Sequence, residues 1–137
     1  MTVYPSEASG MHLPRVLLVD DEPPIANALC ACMASCGHEV RSARNGVEAF
    51  RVLSEWTPDL VITSLHMRRM DGLEFCRRLR RVSPMPVIIL CATAEQRAKV
   101  ETLNIGANDY VVRPFSIGQL LDRVLANTRQ GQSDSLC

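Results

Sequence analysis

Asp20, Asp21 and Glu22 follow directly on the apolar run Val16-Leu17-Leu18-Val19. Two adjacent carboxylates at such a point are oxygen ligands of the kind a hard cation such as Mg²⁺ takes. The simpler use of Asp21 or Glu22 is to cap a following helix and complement its dipole. A second apolar run, Leu60-Val61-Ile62-Thr63, exits on Ser64. An alcohol is a poor nucleophile near neutral pH without an adjacent base, so this hydroxyl does covalent chemistry only if one adjoins it. Two further runs end on Cys91-Ala92 and on Arg113-Pro114. A thiol beside the Arg113 cation would gain thiolate character, which Asp20 and Asp21 would oppose. The same guanidinium beside two acids can fork onto one or both of them. His66, close to Ser64, is read as an exposed loop histidine rather than as a base or a replacement acceptor.

These residues need elements to bring them together, and the hydropathy pattern supplies them. Strand-like runs at Val16–Val19, Glu39–Ala43, Leu60–Thr63, Val87–Leu90 and Tyr110–Val112 alternate with helical patterns. The first helix is expected to run to about Cys36, the second to Trp56, the third to about Val82, and the fourth from about Thr93 to Gly106. This is (βα) repeated five times. Strands so uniformly apolar are covered on both faces, which predicts a parallel sheet with helices on either side. In such a sheet the ligand crevice lies beyond the carboxyl ends of the strands, where the residues above all stand.

Start signals support the helices independently. Asn45-x-x-Glu48, Asp71-x-x-Glu74, Thr93-x-x-Gln96 and Ser116-x-x-Gln119 each have the form of a capping box. Pro23 and Pro24 suit a first turn, and Gly37 and Gly106 suit helix stops. Ile117, Leu120, Leu121, Val124 and Leu125 form a stripe that would dock the last helix on the sheet.

Composition narrows the function classes. With 137 residues, 47% hydrophobic, and fifteen basic against fifteen acidic residues, the chain reads as one globular domain with a substantial core and no general pull toward nucleic acid or anionic membrane. Arg77, Arg78, Arg80 and Arg81, with Arg68 and Arg69, form a basic cluster on and before the third helix. So few aromatic residues are interleaved that a solvated face is favoured over nucleic-acid binding. Met1 to Pro14 lacks a basic start followed by an apolar block, and no apolar run approaches the roughly 20 residues of a membrane span, so a cytoplasmic protein is expected. Cys30, Cys32, Cys36, Cys76, Cys91 and Cys137 are therefore read as mostly reduced thiols. Cys32 and Cys36 share a helix face, but without a second ligand pair they are read as small core residues rather than a metal site. Residues 1–14 and 129–137 are expected to be flexible segments around a domain at 15–128.

At this point the chain resembles the receiver domain of bacterial two-component response regulators, from about Arg15 to Thr128. The resemblance is carried by Val16-Leu-Leu-Val-Asp20-Asp21-Glu22, Pro58-Asp-Leu-Val-Ile-Thr with Met67 and Met70-Asp71-Gly72, Pro86-Val-Ile-Ile-Leu, Gly106-Ala-Asn-Asp109-Tyr110, and Arg113-Pro114-Phe115. It implies the α/β (βα)5 flavodoxin-like fold with strand order 2-1-3-4-5. It also implies a reaction centre made of two acids after strand one, a phosphoacceptor Asp after strand three, a Thr or Ser after strand four, and a Lys before Pro after strand five. Asp20 and Asp21 keep the acids. Ser64 stands for the acceptor, Cys91 for the Thr or Ser and Arg113 for the Lys, and Arg68 stands where a Pro is common.

The resemblance therefore implies a pseudo-receiver. Ser64 cannot form an acyl phosphate. Mg²⁺ would keep only Asp20, Asp21, a backbone carbonyl near His66 and water, so weak or absent binding and no cofactor are expected. Arg113 would replace the missing cation, and Cys91 offers only a weak S–H donor toward a phosphoryl oxygen. Tyr110 occupies the place of the family's switch aromatic, although a half-buried strand tyrosine would look the same. The expectation is a non-enzymatic, phosphorylation-independent module. It would dock a signalling partner, or a second copy of itself, through the face made by helix four, strand five and helix five, with only a short tail after helix five. Competing schemes are phosphorylation of Ser64 by a serine/threonine kinase, redox chemistry at Cys91, and phosphate accepted by Asp20 or Asp21.

Overall fold

The computed structural model describes residues 13–128. The expected flexibility of 1–12 and 129–137, and the placement of Cys137, lie outside them. Ten elements alternate: β1 (Val16–Val19), α1 (Pro23–Ser35), β2 (Val40–Ala43), α2 (Gly46–Leu53), β3 (Leu60–Ser64), α3 (Gly72–Val82), β4 (Val87–Cys91), α4 (Ala94–Thr102), β5 (Asp109–Val112) and α5 (Ile117–Ala126). All strand pairs are parallel, and the order is β2-β1-β3-β4-β5.

The sheet separates two apolar cores, and strand alternation decides which side chain enters which. Leu17, Val61, Val87, Ile89 and Cys91 belong to the cluster on the side of α2, α3 and α4. Val16, Leu18, Leu60, Ile62, Ile88, Leu90 and Val111 join Met33, Leu120 and Val124 of α1 and α5 on the other. β1 is buried at every position, whereas the edge strand β2 exposes Arg41 and Ser42. Fully burying one Leu or Ile in such a core contributes about 1.5–3 kcal/mol, which is why the continuous apolar runs become the inner strands.

The helix starts follow the capping signals with one refinement. Asn45, Asp71, Thr93 and Ser116 each accept a hydrogen bond from the backbone amide three residues on. Only Ser116 and Gln119 form the reciprocal box. Glu48 takes the Arg44 amide and Gln96 the Ala92 amide, each one residue before its cap, whereas Glu74 pairs forward with Arg78. Pro23 and Pro24 occupy the first turn of α1, and Gly37, at φ 101°, follows that helix in the left-handed region.

Two boundaries move. α4 ends at Thr102 rather than near Gly106, because Asn104 adopts φ 50° and turns the chain first. α2 ends at Leu53, and Trp56 lies beyond it, buried beneath the guanidinium groups of Arg15 and Arg41. The packed fold also includes Leu13, against Gly37, and the buried Pro14, whose carbonyl meets His38 Nδ1 at 2.8 Å. No helix among the described residues is long and apolar enough to cross a membrane.

Candidate functional site

Strand register sets the site. Val19 pairs with Thr63, Ser64 with Leu90, and Cys91 with Val112, so Asp20, Ser64, Cys91 and Arg113 line the carboxyl edge of the sheet. Alternation then divides them. Asp20, Ser64 and Arg113 stand two residues after Leu18, Ile62 and Val111, on the α1/α5 side, whereas Cys91 follows Val87 and Ile89 toward the opposite core.

Asp20 is buried to 3% exposure. Its Oδ1 accepts the Glu22 amide at 3.0 Å, and its buried Oδ2 has no hydrogen-bond partner. Arg113 Nη2 lies 3.7 Å from that Oδ2, an ionic contact longer than a hydrogen bond. Asp21 turns away and accepts the Arg68 amide at 3.2 Å. The guanidinium thus reaches one acid, and the fork across both does not form. Glu22 occupies the N-cap position of α1 without capping it through its side chain.

Ser64 is half-buried. Among the described residues its hydroxyl has no hydrogen-bonded base, while its carbonyl accepts the Thr63 hydroxyl at 3.0 Å. That carbonyl also explains Gly72. A Cβ at residue 72 would sit 2.2 Å from Ser64 O, so only glycine lets α3 begin this close to the end of β3. His66 is exposed, as expected of a loop residue.

Cys91 departs from the expected neighbourhood. Its side chain is fully buried among Val87, Ile89 and Val100, and Arg113 meets it through the backbone, with the Arg113 amide donating to Cys91 O at 2.9 Å. Burial pushes the thiol above its ordinary value, opposed by the charge of Arg97 rather than that of Arg113. Cys32 and Cys36 are exposed rather than core residues, because they lie on the solvent side of the last turn and cap of α1. Among the described residues no three His, Cys, Asp or Glu side chains group closely enough to hold a metal ion.

The basic cluster has more than one role. Arg78 pairs with Glu74, whereas Arg80 reaches inward and donates to Gly106 O, Ser83 O, Met85 O and Asn108 Oδ1. The sequence did not single out Arg80, since most of its acceptors are backbone carbonyls that carry no residue signature. Tyr110 is half-buried beside the α4-side core, and burial raises its phenol above the ordinary value. It borders an open groove of about 480 Å³ formed with Arg97, Val112, Phe115, Gln119 and Arg123 on the face of α4, β5 and α5.

A doubly wound parallel sheet whose carboxyl edge gathers two acids, a hydroxyl and a cation defines a flavodoxin-like α/β module. The family model for the response regulator receiver domain matches residues 16–125, and the chain belongs to that family. It is similar to the signal receiver domain of a signal transduction histidine kinase from Syntrophus aciditrophicus, at 32% identity and TM-score 0.75, covering 85% of this chain and 93% of that one. It is similar to the receiver domain of the Francisella response regulator 1452, at 33% identity and TM-score 0.74, covering 81% and 93%. A response regulator receiver domain protein from Clostridium thermocellum matches at 25% identity and TM-score 0.78, covering 91% and 100%.

Proposed function

We propose that this receiver domain works as a pseudo-receiver, a cytoplasmic, non-enzymatic signalling module that acts by protein contact without aspartyl phosphorylation. The observation that carries the reading is the residue at the end of β3. Ser64 stands opposite Asp20, each one residue beyond the Val19–Thr63 pair, in the acceptor position the family resemblance assigns, with no base bonded to its hydroxyl among the described residues. A serine in that setting neither forms an acyl phosphate nor supplies a third carboxylate to a cation.

Arg113 supports the same reading, because a guanidinium 3.7 Å from the unpartnered Asp20 oxygen occupies the electrostatic role a divalent ion would take. Weak or absent Mg²⁺ binding follows. The thiol at position 91, turned into the core, is poorly placed to meet a phosphoryl oxygen, and its burial argues equally against a redox role. Recognition then falls to the exterior, and the groove bordered by Tyr110 on the α4, β5 and α5 face is the surface we assign to a signalling partner or a second copy.

The test is incubation with acetyl phosphate, and separately with beryllofluoride, in the presence of Mg²⁺. Unchanged mass and unchanged amide resonances around Asp20, Ser64 and Arg113 are expected. Stoichiometric modification, or saturable shifts at these residues, would overturn the reading.

A further inference from the structure

Cys32 and Cys36 stand on the last turn and C-cap of α1, and both are exposed. Four residues apart, they share one helix face with their Cβ atoms about 5–6 Å apart. Ala28 and Ser35, exposed on the same face, are small, and the Ser35 hydroxyl is turned onto the Cys32 carbonyl at 2.9 Å. No basic residue lies in the last turn, so no side-chain cation there repels an incoming metal ion. α1 leaves the carboxyl edge of the sheet at Pro23 and runs 13 residues, about 20 Å, toward the opposite edge. The pair is therefore remote from Asp20, Ser64 and Arg113, and what it binds does not depend on how Ser64 behaves.

The spacing decides what two such thiols do together. A disulfide needs Cβ atoms about 3.5–4.5 Å apart, so the helix holds these two carbons too far apart to join sulfur to sulfur. A bridging ion lengthens the link. Two metal–sulfur bonds of about 2.3 Å each, set in line, hold the sulfurs about 4.6 Å apart, a span that side chains rooted 5–6 Å apart reach. No third His, Cys, Asp or Glu joins the pair among the described residues. That excludes a closed tetrahedral zinc site within one chain and the many oxygen ligands of a hard cation. Two sulfurs alone suit a soft ion that accepts two-coordination, and thiolates select Cu(I) among such ions.

We propose that Cys32 and Cys36 bind one Cu(I) ion as a two-coordinate bis-thiolate. Each thiol releases its proton to solvent as a sulfur–copper bond forms, and copper stays in the +1 state, so no electron acceptor is required. Two protons leave and one cation enters, so the loaded end of α1 carries one more negative charge than the free end.

The test is anaerobic titration of the full, reduced chain with Cu(I) in competition with bicinchoninate, with the site mapped by iodoacetamide labelling and the coordination read by copper X-ray absorption. One Cu(I) per chain, two sulfur neighbours, and labelling of Cys32 and Cys36 lowered about tenfold or more are expected. Cys32→Ser and Cys36→Ser, at exposed positions, should each weaken retention of Cu(I) about tenfold or more with an unchanged circular dichroism spectrum, because a single thiolate loses the intramolecular second bond. Cys137→Ser should leave retention unchanged. No uptake, uptake that survives either serine variant at position 32 or 36, half an ion per chain with a dimer in sedimentation, or a requirement for Cys30 or Cys137 would each overturn the proposal.

Discussion

Arg113 faces Asp20 across the carboxyl edge of the sheet, its Nη2 3.7 Å from a buried carboxylate oxygen that has no hydrogen-bond partner. The acid is almost wholly withdrawn from water while the arginine side chain is one-third exposed. Breaking a fully buried pair by removing one member costs about 3–5 kcal/mol. Solvent at the guanidinium and the long separation reduce that. Arg113→Ala is expected to lower stability by about 1–2 kcal/mol. In a cycle with Asp20→Asn, urea denaturation should give a coupling of roughly 1 kcal/mol. A coupling indistinguishable from zero would mean the two charges do not interact.

Restoring the family's reaction centre should restore its chemistry in steps. Ser64→Asp alone adds a carboxylate beside Asp20 but leaves Arg113 in contact with that acid. The double variant Ser64→Asp, Arg113→Lys should bind Mg²⁺ and take one phosphoryl group from acetyl phosphate, detected by intact mass, with the single variant modified far less. A fully modified native chain would contradict the role given to Ser64.

The thiols should sort by burial. Cys32 and Cys36 are exposed, whereas Cys76 and Cys91 are buried, with their thiols held above the ordinary cysteine value by loss of water. Iodoacetamide at neutral pH is expected to label Cys32 and Cys36 first and to reach Cys76 and Cys91 only with denaturant, as peptide mapping would reveal. Folded values above the unfolded one also fix a pH trend. The stability these neutral thiols contribute is complete below about pH 9 and declines as pH rises through their folded values, so the urea midpoint should fall on the alkaline side. A midpoint that stays level there would contradict the burial of both thiols.

Arg80 ties the end of α3 to the loops before β4 and β5 through four hydrogen bonds of 2.8–3.2 Å. Lysine keeps the charge but not the planar fork. Arg80→Lys is expected to cost about 1–3 kcal/mol with little change in the denaturant slope, and amide exchange at Gly106 and Asn108 should quicken.

The parts of the fold legible in the sequence are those where burial and periodicity coincide. Val16–Val19 and Val87–Leu90 read as inner strands because both faces are covered, and the Leu120 and Val124 stripe read as the docking side of α5. α4 was harder to bound because only Val100 anchors it, so its end was set by the backbone of Asn104 rather than by a hydropathy stripe. At the site, the residue types and their order were legible, but their orientation was less so. Cys91 shares strand parity with Val87 and Ile89, a signal that was available and that places it in the core rather than beside Arg113. The divergence of Asp20 and Asp21 depends on where the Arg68 amide falls, which residue types do not encode.

α4 meets the core through one buried side chain, Val100, and offers almost all of its remaining surface to solvent. A helix held by a single peg can change its outer residues with little thermodynamic penalty to the rest of the molecule. Such a segment is free to drift toward new binding specificities while the scaffold beneath it stays fixed.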